Sequence, residues 1–149
     1  MDNASKSAKE IEKEKSLKNS RRYCKLIRHF VPIKKNKIVF SQFGGKGYGC
    51  NPKAIADEFL KRDRDYDLVW LLKKNTDISK SGLPKGVRGV VANKNSLNSL
   101  YELLTAKVWI NNIHFNVLID KGLSKRKGNI YLNTFHGGIT LKNEGKDKN

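Results

Sequence analysis

The stretch NIYLNTFHGG, residues 129–138, sets His136 between a β-branched and aromatic run and the pair Gly137 and Gly138. A strand that ends on an imidazole beside glycines presents it to a ligand, because glycine has no Cβ to hold a substrate away. Histidine titrates near neutrality and can serve as a general acid or base. A structural strand-end histidine is the alternative, and position alone leaves both readings open. A second polar group, GGKGYGC at residues 44–50, carries Gly44 and Lys46. Glycines between a strand and a helix N-terminus favour phosphate. The spacing is nevertheless not a dinucleotide fingerprint, since Cys50 stands where a third small residue belongs, and Gly-Lys-Ser/Thr is absent. A plain tight turn is the competing reading. Asn111, Asn112 and His114 form a third group, and His29 reads as a surface residue. Cys24 and Cys50 are too few and too ill-placed for a disulfide framework or a zinc site, and no cluster of metal ligands is visible in the sequence, so no metal is expected.

These groups need elements to hold them. KIVFSQF (37–43) reads as a first strand, DLVWLLKK (67–74) as a nearly continuous apolar second, and LPKGVRGVVAN (83–93) as a turn and a third. KVWINNI (107–113) and NIYLNTF (129–135) follow as the fourth and fifth. NPKAIADEFLKR (51–62) reads as a helix with Asn51 as N-cap and Pro52 at its first position. SLNSLYELLTA (96–106) reads as another, with Ser96 as cap, and residues 114–128 as a short helix and a basic turn. Alternating strands and helices predict an α/β fold with a Rossmann-like, mostly parallel sheet. Such sheets bind ligands at the carboxyl ends of their strands. All three polar groups would then share one edge of the domain.

Charge divides the chain. Thirty-one Lys and Arg against fourteen Asp and Glu leave a net charge of +17, which calls for an anionic partner. Residues 1–36 form a basic N-terminal segment, and residues 37–149 the α/β domain. Met1 to Lys15 is polar without core periodicity, and is expected to be disordered or loosely helical. From Ser16 to Val31, Tyr23, Leu26, Ile27, Phe30 and Val31 recur on one helical face. Arg21, Arg22, Lys25 and Arg28 lie among them, and Pro32 ends the pattern. This helix docks on its own domain with a solvated basic face, lies on an anionic membrane or, as the least favoured reading, meets nucleic acid. No apolar run approaches membrane-spanning length.

The motif YLNTFHGGITLKNEGKD resembles that of the CDP-glycerol glycerophosphotransferase family, the polyol-phosphate transferases of teichoic-acid synthesis. The family pattern Thr-Trp-His-Gly-Thr-Pro-Leu-Lys, followed by Gly-Lys-Asp, is matched at Thr134, His136, Gly137, Leu141, Lys142, Gly145, Lys146 and Asp147. SQFGGKGYGCNPK resembles an upstream family segment at Ser41, Phe43, Gly44, Tyr48, Asn51, Pro52 and Lys53. Phe135 replaces the usual Trp, Gly138-Ile139-Thr140 replaces Thr-Pro with one extra position, and His114 stands where an Arg is usual.

The resemblance implies the N-terminal, acceptor-side domain of a two-domain glycosyltransferase-B fold, with the nucleotide-binding half absent from these 149 residues. It implies transfer of glycerol phosphate from CDP-glycerol, or a related CDP-polyol, to a lipid-linked glycerol-phosphate acceptor. His136 would be the general base. Gly137, Gly138 and Lys142, with Gly44, Lys46, Asn112 and His114, would bind the phosphate or acceptor. Arg21, Arg22, Lys25 and Arg28 would meet the membrane, giving a peripheral protein on its cytoplasmic face. No cofactor is implied. The alternative is a basic anion-binding module without catalysis. Nucleic acid is disfavoured as its ligand, because the charge is not interleaved with exposed aromatics.

Overall fold

The computed structural model describes residues 7–62, 65–92, 97–113 and 122–135. Strands β1 (Lys34–Ser41), β2 (Asp67–Leu72), β3 (Val87–Val91), β4 (Ala106–Asn111) and β5 (Ile130–Asn133) form one sheet. Its order is β3-β2-β1-β4-β5, and every neighbouring pair is parallel. The expected α/β class is the one observed.

Pleating divides the apolar runs between two cores. Val39, Val69, Leu71 and Trp109 face helix α3 (Asn98–Thr105) and its Leu100, Leu103 and Leu104. Ile38, Phe40, Leu68, Trp70, Leu72 and Ile110 face helix α2 (Cys50–Lys61) through Ala56, Ile55 and Phe59. Covering on both faces is why β2 reads as an uninterrupted apolar string.

Helix α1 (Ala8–Phe30) is one continuous helix, longer than the expected start at Ser16. Its first turns lack an apolar stripe but are closed by a capping box. Ser7 Oγ accepts from the Glu10 amide, and the Ser7 amide donates to Glu10 Oε2 at 2.8 Å. The expected apolar face splits in two. Tyr23 and Ile27 pack with buried Cys24 into the α3 core, whereas Leu26 and Phe30 remain 57% and 77% exposed.

Two expected caps differ from what is observed. Helix α2 begins at Cys50 with Gly49 as N-cap, so Asn51 and Pro52 lie inside its first turn. Proline is tolerated there because first-turn amides have no helical acceptor. Leu97 caps α3 without a side-chain bond, and Ser96 lies outside the described residues.

Near the amino ends of β1, β2 and β3 sits an ionic network, buried at Lys37 and Glu102 and open to solvent at Arg88. Lys37, 1% exposed, donates to Glu102 Oε2 at 2.5 Å and to Thr105 Oγ1 at 3.0 Å. Arg88 bridges Glu102, at 2.8 and 3.1 Å, to Asp67, at 3.1 and 3.2 Å. Burial alone would raise the Glu102 carboxyl. Hydrogen bonds from Arg88 and Lys37 outweigh it and hold that carboxyl below its ordinary range.

Candidate active site

The strand order reverses between β1 and β4. After β1 the chain builds outward to β2 and β3, then returns to lay β4 on the other side of β1. A crevice at the carboxyl ends of these two strands is where such sheets receive ligands. The glycine-rich turn from Gln42 to Gly49 leaves β1 at this point and is tied down by its neighbours. The Phe43 amide donates to Asn112 Oδ1 at 2.9 Å, and Trp70 Nε1 donates to the Gly47 carbonyl at 2.8 Å. The Lys73 amide donates to the Gly45 carbonyl at 3.0 Å. Gly45 has φ +96°, and a Cβ there would lie 2.4 Å from the Lys73 nitrogen. Glycine is therefore required for the turn to lie this close against the end of β2.

On the far side of β1 from β2, β5 is secured to β4. The Thr134 amide and hydroxyl both donate to the Asn111 carbonyl, at 2.7 and 3.1 Å. Tyr131 OH donates to Asn111 Oδ1 at 3.0 Å. The Phe135 amide donates to Asn133 Oδ1 at 2.9 Å. Asn51 then reaches from the first turn of α2, and its Nδ2 donates to the Thr134 and Phe135 carbonyls at 3.1 and 3.2 Å. Three non-glycine residues at this edge, Phe43, Cys50 and Phe135, have φ of 41°, 57° and 52°. Left-handed backbone at a bulky residue is costly and concentrates at functional edges.

The ends of β1, β4 and β5 thus share one edge, as the sequence predicts for the three polar groups. Gly44 and Lys46 are exposed on the turn. Asn112 is 1% exposed and holds the turn against β4 through Phe43. His114, His136, Gly137, Gly138 and Lys142 lie outside the described residues. Of the basic residues of α1, Arg21, Arg22 and Lys25 are exposed, while Arg28 donates to Ser124.

Behind the turn, Tyr48 packs on Trp70 at 4.6 Å between ring centroids. Its hydroxyl donates to Asp57, which also pairs with Lys53. Burial, and then the Asp57 hydrogen bond, raise the Tyr48 phenol above its ordinary range. The Lys53 and Tyr48 hydrogen bonds lower the Asp57 carboxyl.

The family model described as CDP-Glycerol:Poly(glycerophosphate) glycerophosphotransferase matches residues 23–149. The chain belongs to this family. Among curated glycerophosphotransferase relatives, it is 28% identical over 109 residues to a teichoic acid poly(glycerol phosphate) polymerase of Bacillus subtilis strain 168. That match covers 72% of this chain and 13% of the polymerase. A polymerase of the same description from Bacillus spizizenii W23 is 31% identical over 111 residues, covering 72% of this chain and 26% of the relative. A teichoic acid glycerol-phosphate transferase of Staphylococcus aureus NCTC 8325 is 32% identical over 115 residues, covering 76% and 26%. A solved structure of the wall teichoic acid polymerase TagF, a histidine-to-asparagine variant soaked with CDPG, is similar at TM-score 0.68 and 26% identity. It covers 87% of this chain and 29% of that one. The chain therefore spans between about an eighth and under a third of the glycerophosphotransferases it matches.

Sequence reasoning missed Asn51 as a tie between α2 and β5. An Asn before Pro has the form of a helix cap, and nothing local announces a partner more than eighty residues away. The one signal was its place in the Asn-Pro-Lys segment of the family pattern.

Proposed function

We propose that this chain is the acceptor-side wall of a transferase acting in teichoic-acid or surface-polymer synthesis. That transferase moves glycerol phosphate, or a related polyol phosphate, from a CDP-activated donor to a lipid-linked acceptor. The carrying observation is the convergence of the β1, β4 and β5 carboxyl ends on one edge, with His136 next in sequence after the secured residues Thr134 and Phe135.

His136 accepts the proton of the acceptor hydroxyl as that oxygen forms its bond to the donor's glycerol-bearing phosphorus. The bond from this phosphorus to the CMP oxygen breaks, and CMP leaves with the electron pair. An alcohol is a weak nucleophile at neutral pH, so a positioned base accelerates the step. Lys142 and the amides of Gly137 and Gly138 stabilise the charge on the transferred group. Gly44, Lys46, Asn112 and His114 belong to the same acceptor-side edge. The nucleotide is held by the half of the enzyme beyond these residues. The reading is tested by CMP release from CDP-glycerol by a full-length transferase carrying this segment, supplied with membranes bearing a glycerol-phosphate acceptor. Acceptor-dependent CMP release is expected, and its absence from a folded enzyme contradicts the reading.

A lipid-linked acceptor calls for a peripheral protein at the cytoplasmic face of the membrane. Helix α1 supports this by displaying Leu26 and Phe30 beside exposed Arg22 and Lys25. No helix among the described residues is long and apolar enough to cross a membrane. Replacing Leu26 and Phe30 together with Ser should weaken co-sedimentation with anionic vesicles by roughly tenfold or more, given the cost of losing two buried apolar side chains. Both side chains lie largely outside the core, so the melting temperature should hold. Unchanged sedimentation contradicts membrane contact through this face.

A further inference from the structure

We infer that Asn51 is a positioning residue for the base, holding the backbone that carries His136; this inference rests on the reading of His136 as general base. Asn51 Nδ2 donates to the carbonyls of Thr134 and Phe135, at 3.1 and 3.2 Å. These are the last two peptide carbonyls before His136. An amide nitrogen has two donors, and here both point at the same turn. Phe135 has φ 52°, a conformation that a bulky residue leaves unless its surroundings hold it. The restraints on it are the Asn51 tie and the bond from its own amide to Asn133 Oδ1.

The geometry of α2 fits this role rather than simple capping. Cys50 takes φ 57° at the first helical position, and Gly49 makes no side-chain cap bond. The helix thus begins with Asn51 in its first turn, where its side chain faces β5. Pro52 follows without an amide to compete for these carbonyls. Asn51 itself need not touch substrate. It ties α2, which packs on one face of the sheet, to the strand end that bears the base. A displacement of about 1 Å at a reacting group costs on the order of 100-fold in rate, so the tie should act on turnover more than on binding.

The test is a double-mutant cycle in a full-length transferase carrying this segment, with kcat, KM and melting temperature measured on each variant. Asn51→Ala should lower kcat by roughly 10- to 100-fold with KM for the CDP-glycerol donor within about twofold. Asn51→Asp, the same size but without the donors, should fall at least as far. In a His136→Ala background, Asn51→Ala should have almost no further effect, because the group it positions is gone. Equal losses of kcat in both backgrounds, or a fall in melting temperature that tracks the loss, would assign Asn51 a purely structural role and overturn the inference. A full loss with His136→Ala beside a normal rate for Asn51→Ala overturns the positioning role alone. A near-normal rate for His136→Ala removes the base itself, and the inference with it.

Discussion

His136→Ala in a full-length transferase carrying this segment should lower turnover by about 10²- to 10⁴-fold, the usual contribution of a general base. The residue ends the run that begins at β5, and Thr134 and Phe135 just before it are bound through their backbones to Asn111, Asn133 and Asn51. Those bonds do not involve the imidazole. Removing it should leave the fold, and so the melting temperature, nearly unchanged. If His136 were a structural strand-end residue, activity and melting temperature would fall together. His29→Ala, on the outer part of α1, supplies the comparison and should leave turnover alone. Turnover and thermal melting on the same three proteins distinguish the two accounts.

Glu102→Gln should cost about 3 kcal/mol of stability, within the range for breaking one side of a buried ion pair. Lys37 is 1% exposed, and Glu102 is its nearest anion at 2.5 Å, with Asp67 at 3.8 Å. Neutralising Glu102 leaves the Lys37 ammonium buried without its main counter-charge. The pH dependence follows from the lowered Glu102 carboxyl. A carboxyl that titrates lower in the folded than in the unfolded chain adds stability above its unfolded value, about 4.3. That contribution is lost as pH falls through the folded value. Urea denaturation of the 149-residue chain should show a lower midpoint for Glu102→Gln at pH 7 and a shallower loss of stability in acid. Parallel profiles for the two proteins would assign the acid sensitivity to other carboxylates.

The residues differ in how openly they announce these roles. Strands β2 and β4 are legible because a sheet covered on both faces demands apolar runs, and both supply them. The order of the five strands across the sheet is not legible, since it depends on which strand the chain returns to beside β1. The first turns of α1 hide because helicity there rests on the capping bonds of Ser7 and Glu10 rather than on an apolar stripe. Its periodicity reveals an apolar face but not which part docks, so Leu26 and Phe30 read the same as Tyr23 and Ile27. Lys37 counts as one more basic residue until its partner, sixty-five positions away in sequence, is brought beside it. Asn51 is misread for a related reason. The Asn-Pro pair has the form of a cap, whereas the helix begins one residue earlier, at Cys50 with left-handed backbone, and Asn51 lies inside its first turn, bonded to the chain after β5.

The proposed function turns on His136 accepting a proton. The most direct measurement is CMP release from CDP-glycerol by a full-length transferase carrying His136→Gln in this segment, with the folded state checked by melting temperature. Glutamine preserves a hydrogen-bonding side chain of similar reach but cannot take the proton. The account predicts a rate nearly as low as that of His136→Ala, at a melting temperature close to the parent's. A folded His136→Gln enzyme that turns over near the parent rate would contradict it.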